Sequence, residues 1–417
     1  MPILERFFEP PSEARFARRL TSAIRRAGEP DPIHVDFQGF RIVTTGAQPN
    51  VLHLQNLYLE YRVAPRAQRP AMLQSIVRSW FDRYKEIPSQ YDDLGPDLLP
   101  AIRPRSYLEA QRLETIVKGN TPLDVPYRTL GDDHALCLVY DLPQSMLMVQ
   151  ERHLATWDVH FNEALVMALE NLKAMSPPAW THPVPGVLAS AWHDHYDASR
   201  LPILPELIDL DDLAGSPVVM IPNRDTLLMA GSADEAGLKS LARLANEALS
   251  RPRPMHGQPL TLMGDRWIPY MPDADHPCAS IFNQFHARAK AHHYQAQANL
   301  LNQVYHDRGD DSHLAGYFLH EPPEAWSSLS YCVWVEGSPT LLPETDRVYF
   351  VRTNLNDPQE QKVVAQGTWN QVVQVVGHLM TPQGTYPERY RVDSFPTLGQ
   401  INELNARAAT GSKHART

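Results

Sequence analysis

Apolar residues recur along this chain with two spacings, and the switches between them lay out its elements. Phe16, Leu20, Ala23, Ile24 and Ala27 form one stripe at helical spacing, opened by Ser12 as N-cap and closed by Gly28, so residues 12–27 are expected to be a helix. Arg15, Arg18, Arg19, Arg25 and Arg26 fall mostly on its other faces, where a solvated charged face is the ordinary role and phosphate contact the alternative. Ile33–Phe37, Phe40–Val43 and Val51–Leu54 read as short strands, with Leu57–Val63 as a candidate fourth. Gly39 and Gln48-Pro49-Asn50 supply turns. A second helix from Pro70 to Lys85 carries Met72, Ile76, Trp80 and Phe81, and Asp92 to Pro104 reads as a proline-rich connection. Residues 1–92 thus form a small α+β domain.

Further along, Ala135–Tyr140 is an apolar strand, Leu142 to Ser145 a turn and Met146–Val149 a return strand, followed by a helix over 159–175. The same order recurs in 216–249: strand Pro217–Ile221, turn Pro222-Asn223-Arg224-Asp225, strand Thr226–Ala230, helix Ala233 to Leu249. Two hairpin–helix units in succession suggest an internal structural repeat. Leu260–Met263 and Trp267–Tyr270 are short strands, and a helix is expected from Ala279 to Tyr305. Its buried side carries Phe282, Phe285 and Ala289; His286, Lys290, His293 and Gln297 mark another side, read as solvated or as a shared ligand face. Tyr331–Val335, Val348–Thr353 and Lys362–Ala365 read as strands within a loop-rich stretch that begins at 306. The valines of 370–380 fit helix and strand equally. The fold class is α+β, with mixed small sheets flanked by helices, divided at 1–92, 93–275 and 276–405, and a disordered tail is expected over 406–417.

Composition narrows the function. Hydrophobic residues make up 43%, enough for a real core, and the net charge of −10 disfavours nucleic acid or an anionic membrane as partner. Cys137, Cys278 and Cys332 lie far apart, which fits a reducing compartment. No apolar run reaches spanning length, and Met1-Pro2-Ile3-Leu4-Glu5-Arg6 lacks the basic-then-apolar order of a signal peptide, so a cytoplasmic location is expected. Phosphate-loop, dinucleotide, nucleophile-elbow and zincin motifs are all missing. No cofactor is therefore expected.

The densest reactive stretch is Trp192-His193-Asp194-His195-Tyr196-Asp197-Ala198-Ser199-Arg200. It admits three readings. On a strand, His193 and His195 face one side; with Asp197 and Asp225 they would make most of a metallohydrolase ligand set, although Ala198 stands where a further histidine is needed. Alternatively, Asp197 caps a helix whose first-turn amides, with Arg200, accept an anion. In the plainest reading, Asp197 caps, Arg200 pairs with a carboxylate and Tyr196 packs.

The run Asp194, Tyr196, Asp197, Ala198, Ser199, Arg200, Leu201 resembles the D-x-Y-D-A-S-R-L/I pattern of the YtpQ-like family of uncharacterised bacterial proteins, a domain of unknown function. Pro222, Asp225 and Leu227 match its later P-x-x-D-x-L, and Arg103 its upstream arginine. The resemblance spans about residues 95–270, omits His193 and His195, and implies a YtpQ-like domain without a known reaction. We therefore expect a non-catalytic module that binds a protein or a small anionic ligand through Asp194, Tyr196, Asp197, Ser199, Arg200, Asp225 and Arg103. The alternative is a metal-dependent hydrolase using His193, His195, Asp197 and Asp225.

Overall fold

A computed structural model describes residues 11–46, 50–85, 87–122, 124–321, 328–354 and 357–414. The Met1 to Arg6 stretch, most of the turn expected at Gln48-Pro49-Asn50 and residues 322–327 of the later loop lie outside these. The first region runs α1 (Glu13–Arg26), β1 (Ile33–Asp36), β2 (Arg41–Thr44), β3 (Val51–His53), α2 (Gln55–Val63) and α3 (Arg69–Phe81). The Ser12 hydroxyl accepts from the Arg15 amide and caps α1. The strands form an antiparallel sheet whose core joins Phe16, Leu20, Ile24, Ile42 and Trp80. The candidate fourth strand at 57–63 is instead part of α2. Tyr58 and Tyr61, spaced for one helix face, both pack on Phe16, at 5.4 and 5.0 Å between ring centroids.

The middle region contains β4 (Leu98–Pro104), α4 (Arg105–Val117), β5 (Arg128–Leu130), β6 (His134–Leu142), β7 (Ser145–Met148), α5 (Glu151–Trp157), α6 (Phe161–Ala174), β8 (Trp180–Val184) and β9 (Val187–Ser190). It continues with α7 (Leu204–Leu207), β10 (Pro217–Asn223), β11 (Thr226–Gly231), α8 (Glu235–Leu249), β12 (Leu260–Met263) and β13 (Arg266–Pro269). One sheet orders β4-β6-β5 with β7 also on β6; the other orders β13-β12-β10-β11-β9-β8. The proline-rich stretch after 97 is therefore a strand, not a connection. It pairs with β6 alone, and an edge strand tolerates Pro100 and Pro104. The two hairpin–helix units lie in different sheets and meet through the core: Val219 and Ile221 of β10 face Leu136 and Leu138 of β6, while Val218 and Met220 face Leu238 and Leu241 of α8. Burial on both faces, at roughly 1.5–3 kcal/mol for each large apolar side chain, fixes the turn between β10 and β11 in place.

The last region holds α9 (Ala279–Asp307), β14 (His313–Leu314), β15 (Phe318–His320), β16 (Leu329–Val335), β17 (Thr340–Pro343), β18 (Arg347–Asn354), β19 (Asp357–Thr368), α10 (Trp369–Val376), β20 (Thr381–Pro382), β21 (Arg389–Val392) and α11 (Leu398–His414). Its sheets order β15-β16-β18-β19 and β14-β17-β21-β20. The valine run is helical, opened by a reciprocal capping box between Thr368 and Gln371. The expected tail is also helical as far as His414; residues 415–417 lie outside the described set. Long α9 packs along α4, where Leu113 meets Leu301 and Val304. Its expected solvated side is partly buried: His293 and Gln297 are enclosed, with Gln297 bonded to the Pro387 carbonyl and to Arg389. Helices and small sheets together make an α+β fold. Among the described residues no helix is long and apolar enough to cross a membrane.

Candidate functional site

Arg200 turns inward. Its side chain is 0% exposed, its two Nη atoms donate to Asp194 Oδ1 and Oδ2 at 2.8 and 2.6 Å, and its Nε donates to Ser176 Oγ at 2.7 Å. The guanidinium also stacks on Trp192, 4.3 Å from the ring centroid. It ties the end of α6 to the 191–197 loop and has no open face for an anion. Burial opposes the Asp194 charge, but the bonds from Arg200 and from the Tyr196 amide hold its carboxyl below the ordinary range. Ser199 is likewise structural, since its Oγ accepts from the Ile102 amide at 3.2 Å.

Asp197 is not a cap. It is 0% exposed and has helical angles (φ −51°, ψ −53°), whereas a capping side chain needs an extended backbone. Neither of its carboxylate oxygens has a hydrogen-bond partner among the described residues. The turn it precedes is a short 3₁₀ segment, Ala198–Ile203, whose first amide already donates to the Arg224 carbonyl at 3.2 Å. The helix-N-terminus anion site is therefore not formed. Nor do His193 and His195 lie on a strand: both are exposed loop residues with φ of 53° and 74°. His195 Nδ1 lies 3.0 Å from Asp225 Oδ1 and 2.8 Å from Arg224 Nη2, which puts a cation where the metal reading needs the ion, and Asp197 points elsewhere. Among the described residues no group of three or more His, Cys, Asp or Glu is placed to hold a metal.

What the fold does bring together is a cleft of about 1700 Å³ between the first and middle regions. Arg103 at the end of β4, Asp141 of β6, the 193–196 loop and the Asn223-Arg224-Asp225 turn line one side; Asn56, Leu57, Glu60, Met72 and Ile76 of α2 and α3 line the other. The Asn223 side chain shapes the turn by accepting from the Asp225 amide at 2.9 Å. Burial opposes the Asp225 charge, but His195 and Arg224 outweigh it and hold the carboxyl at about 2. Burial, then the nearby Arg253 charge, lower Arg224 to about 10. Arg253 itself is clasped by Glu60 at 2.6 Å. The Tyr196 hydroxyl faces Asp141, whose carboxyl is raised by burial and partly restored by that tyrosine.

Arg103 differs from its neighbours. Its bonds among the described residues go only to the Ile102 carbonyl at 2.8 Å and to Met146 Sδ at 3.6 Å, and no carboxylate pairs with it. Burial lowers its affinity for its own proton, and the Arg253 charge adds to this. Of the expected residues, Arg103, Asp194, Tyr196 and Asp225 line the cleft, whereas Asp197, Ser199 and Arg200 do not. Arg224, Asp141 and Arg253 were missed, although Arg224 stands inside the turn whose aspartate was singled out. No family model, curated protein or solved structure matches the chain.

Proposed function

We propose that the protein is a binding module that takes a small anionic ligand in this cleft, with Arg103 as the principal cation and Arg224 beside it. The observation that supports the reading is Arg103: a guanidinium lining the cleft whose donors are mostly unused and whose charge meets no carboxylate among the described residues. Leaving a charge in such a place is costly, and an incoming phosphate or carboxylate would satisfy it with charge-assisted, paired hydrogen bonds. Asp225 and Asp141 would then act on the ligand's polar hydrogens. A titration with inorganic phosphate, at ionic strength matched with sodium chloride, tests this by thermal unfolding and calorimetry. The wild type should be stabilised by phosphate, and Arg103→Leu should bind about 10-fold or more weakly, since hydrogen bonds to charged groups contribute about 1.5–3 kcal/mol. Equal phosphate response in wild type and Arg103→Leu would sink the reading.

A further inference from the structure

The cleft carries a second chemical feature that anion binding does not use. Ser106, in the first turn of α4, and His256, in the segment leading to β12, both line it. Ser106 Oγ lies 3.1 Å from His256 Nε2, and the two residues are 6% and 7% exposed. They are 150 positions apart in sequence, so the fold alone assembles the pair. The His256 ring is held edge-on against His293, with centroids 3.8 Å apart, and His292 flanks it at 4.9 Å. Behind them His293 Nε2 lies 3.4 Å from Asp133 Oδ2, and the Tyr386 hydroxyl donates to Asp133 Oδ1 at 2.7 Å.

Burial, followed by the neighbouring imidazoles of His293, His292 and His134, holds His256 well below the ordinary histidine range. At neutral pH it is uncharged, and in the tautomer protonated at Nδ1 its Nε2 lone pair faces the Ser106 proton. Burial opposes the Asp133 charge, but His293 and Tyr386 keep that carboxyl ionised, which places a negative charge behind the imidazole pair. The Arg105 amide that opens α4 is spent on the Asp133 carbonyl at 2.8 Å, so the amides left to an oxyanion formed at Ser106 are those of Ser106 and the residue after it.

We propose that Ser106 is the nucleophile and His256 the general base of an acyl-transfer site, and that its substrates are carboxylic esters bearing a separate anionic group. The position of that anionic group rests on the Arg103 reading. Ser106 Oγ attacks the ester carbonyl carbon while its proton passes to His256 Nε2. The tetrahedral intermediate collapses, the carbon–oxygen bond to the alkoxide breaks, and His256 returns the proton to the departing alcohol. Water, deprotonated by His256, then cleaves the acyl-Ser106 ester, releasing the acid and restoring the hydroxyl. The net change is ester plus water to acid plus alcohol.

The test is labelling of the full-length protein with a fluorophosphonate, which loses fluoride as it phosphonylates an activated serine, read by intact mass and peptide mapping. Ser106 should be labelled stoichiometrically, and Ser106→Ala should abolish the label. His256→Gln should slow labelling on the order of 100-fold or more. The rate's acid limb should lie below the ordinary histidine pKa. Where Ser106→Ala loses the fold, Ser106→Cys is the second variant, and it should move reactivity from the fluorophosphonate to iodoacetamide at the same position. A folded wild type left unlabelled, a label at another serine, or a Ser106 label indifferent to His256 overturns the proposal. The phosphate titration separates the two readings: an Arg103-dependent phosphate response without labelling sinks the nucleophile alone, and labelling without that response sinks the anion reading alone.

Discussion

Arg200 and Arg103 stand on either side of the same sheet–loop junction and are opposites. Arg200 is fully buried with its donors spent on Asp194, Ser176 and the Met175 carbonyl. Arg103 lines the cleft and, among the described residues, bonds only to the Ile102 carbonyl and the Met146 thioether. From sequence Arg200 reads either as an anion acceptor or as the partner of a carboxylate, and Arg103 enters only as the match to the YtpQ-like pattern's upstream arginine, because a sequence advertises a charge but not its partners. The difference is that Arg200 has a carboxylate six residues before it in its own loop, whereas none of the described residues supplies one to Arg103. A satisfied cation organises the fold; an unsatisfied one is available to a ligand.

The sharpest way to break that contrast is to remove the counter-charge of the closed arginine. Asp194→Ala leaves the buried Arg200 guanidinium with only Ser176 and the Met175 carbonyl; because Asp194 itself is 29% exposed, the loss should fall at the low end of the about 3–5 kcal/mol that breaking a buried pair costs. Arg103→Leu removes a cation with no carboxylate to strand among the described residues, so its stability should stay within about 1 kcal/mol of wild type. Urea unfolding of the two variants decides the matter. An Arg103→Leu loss as large as that of Asp194→Ala would mean that Arg103 is also a structural residue.

Acid separates the two regions next. The Asp194–Arg200 knot stays ionised through mild acid because Asp194 is held below the carboxylate range. The histidines near the cleft do not share that immunity. His134 is 0% exposed, neither ring nitrogen has a regular hydrogen-bond partner among the described residues, and burial, reinforced by His293 against the opposing Asp133, lowers it to about 4. Between the ordinary histidine value of about 6.5 and pH 4 the unfolded chain takes up a proton that the folded chain refuses. Stability therefore falls with pH across that window, by about 3 kcal/mol at its lower end for this one group. Chemical denaturation at pH 7.5, 6, 5 and 4 should show the loss, and His134→Phe should make it shallower by that one group's share, the rest belonging to His256 and the other buried histidines. A wild-type profile level from 7.5 to 4 would contradict the burial account.

How much of this was legible in the sequence depends on whether the deciding partners are local. Helix α1 could be read in full, since its stripe, Ser12 cap and Gly28 stop lie within one segment. The Thr368–Gln371 box that makes the valine run helical was equally local, but a search by periodicity alone passes over it. Strand β4 was hidden because its prolines signal a connection, and only its place at the sheet edge makes them tolerable. In the 192–200 stretch the plainest reading holds for Arg200, which pairs with Asp194, and for Tyr196, which packs, but fails for Asp197. The Ser176 and Met175 groups that complete the Arg200 site come from the end of α6, out of reach of any local pattern. Ser106 and His256 could not be paired from sequence at all, and neither could His293 with Asp133. Hairpins, amphipathic stripes and the Asp194–Arg200 pair are short-range patterns; the contacts that complete the Arg200 site, clasp Arg253 to Glu60 and join Ser106 to His256 are long-range ones.

The finest test turns one kind of arginine into the other. Arg253 lies in the cleft with Glu60 clasped to it at 2.6 Å, each side chain about one-third exposed, and its amide donates to Asn56 Oδ1. An ion pair that open to water contributes under about 1 kcal/mol, so Glu60→Ala should scarcely change global stability. It should change the cleft more than the fold. Freed of Glu60, Arg253 becomes a second unpartnered cation near Arg224, whose proton affinity already registers the Arg253 charge. Phosphate should then bind a few-fold more tightly at low ionic strength, and the gain should shrink as salt shortens the Debye length to roughly 8 Å at physiological strength. A phosphate affinity indifferent to Glu60→Ala would place Arg253 beyond the ligand's reach and leave Arg103 and Arg224 as the whole of the anion site.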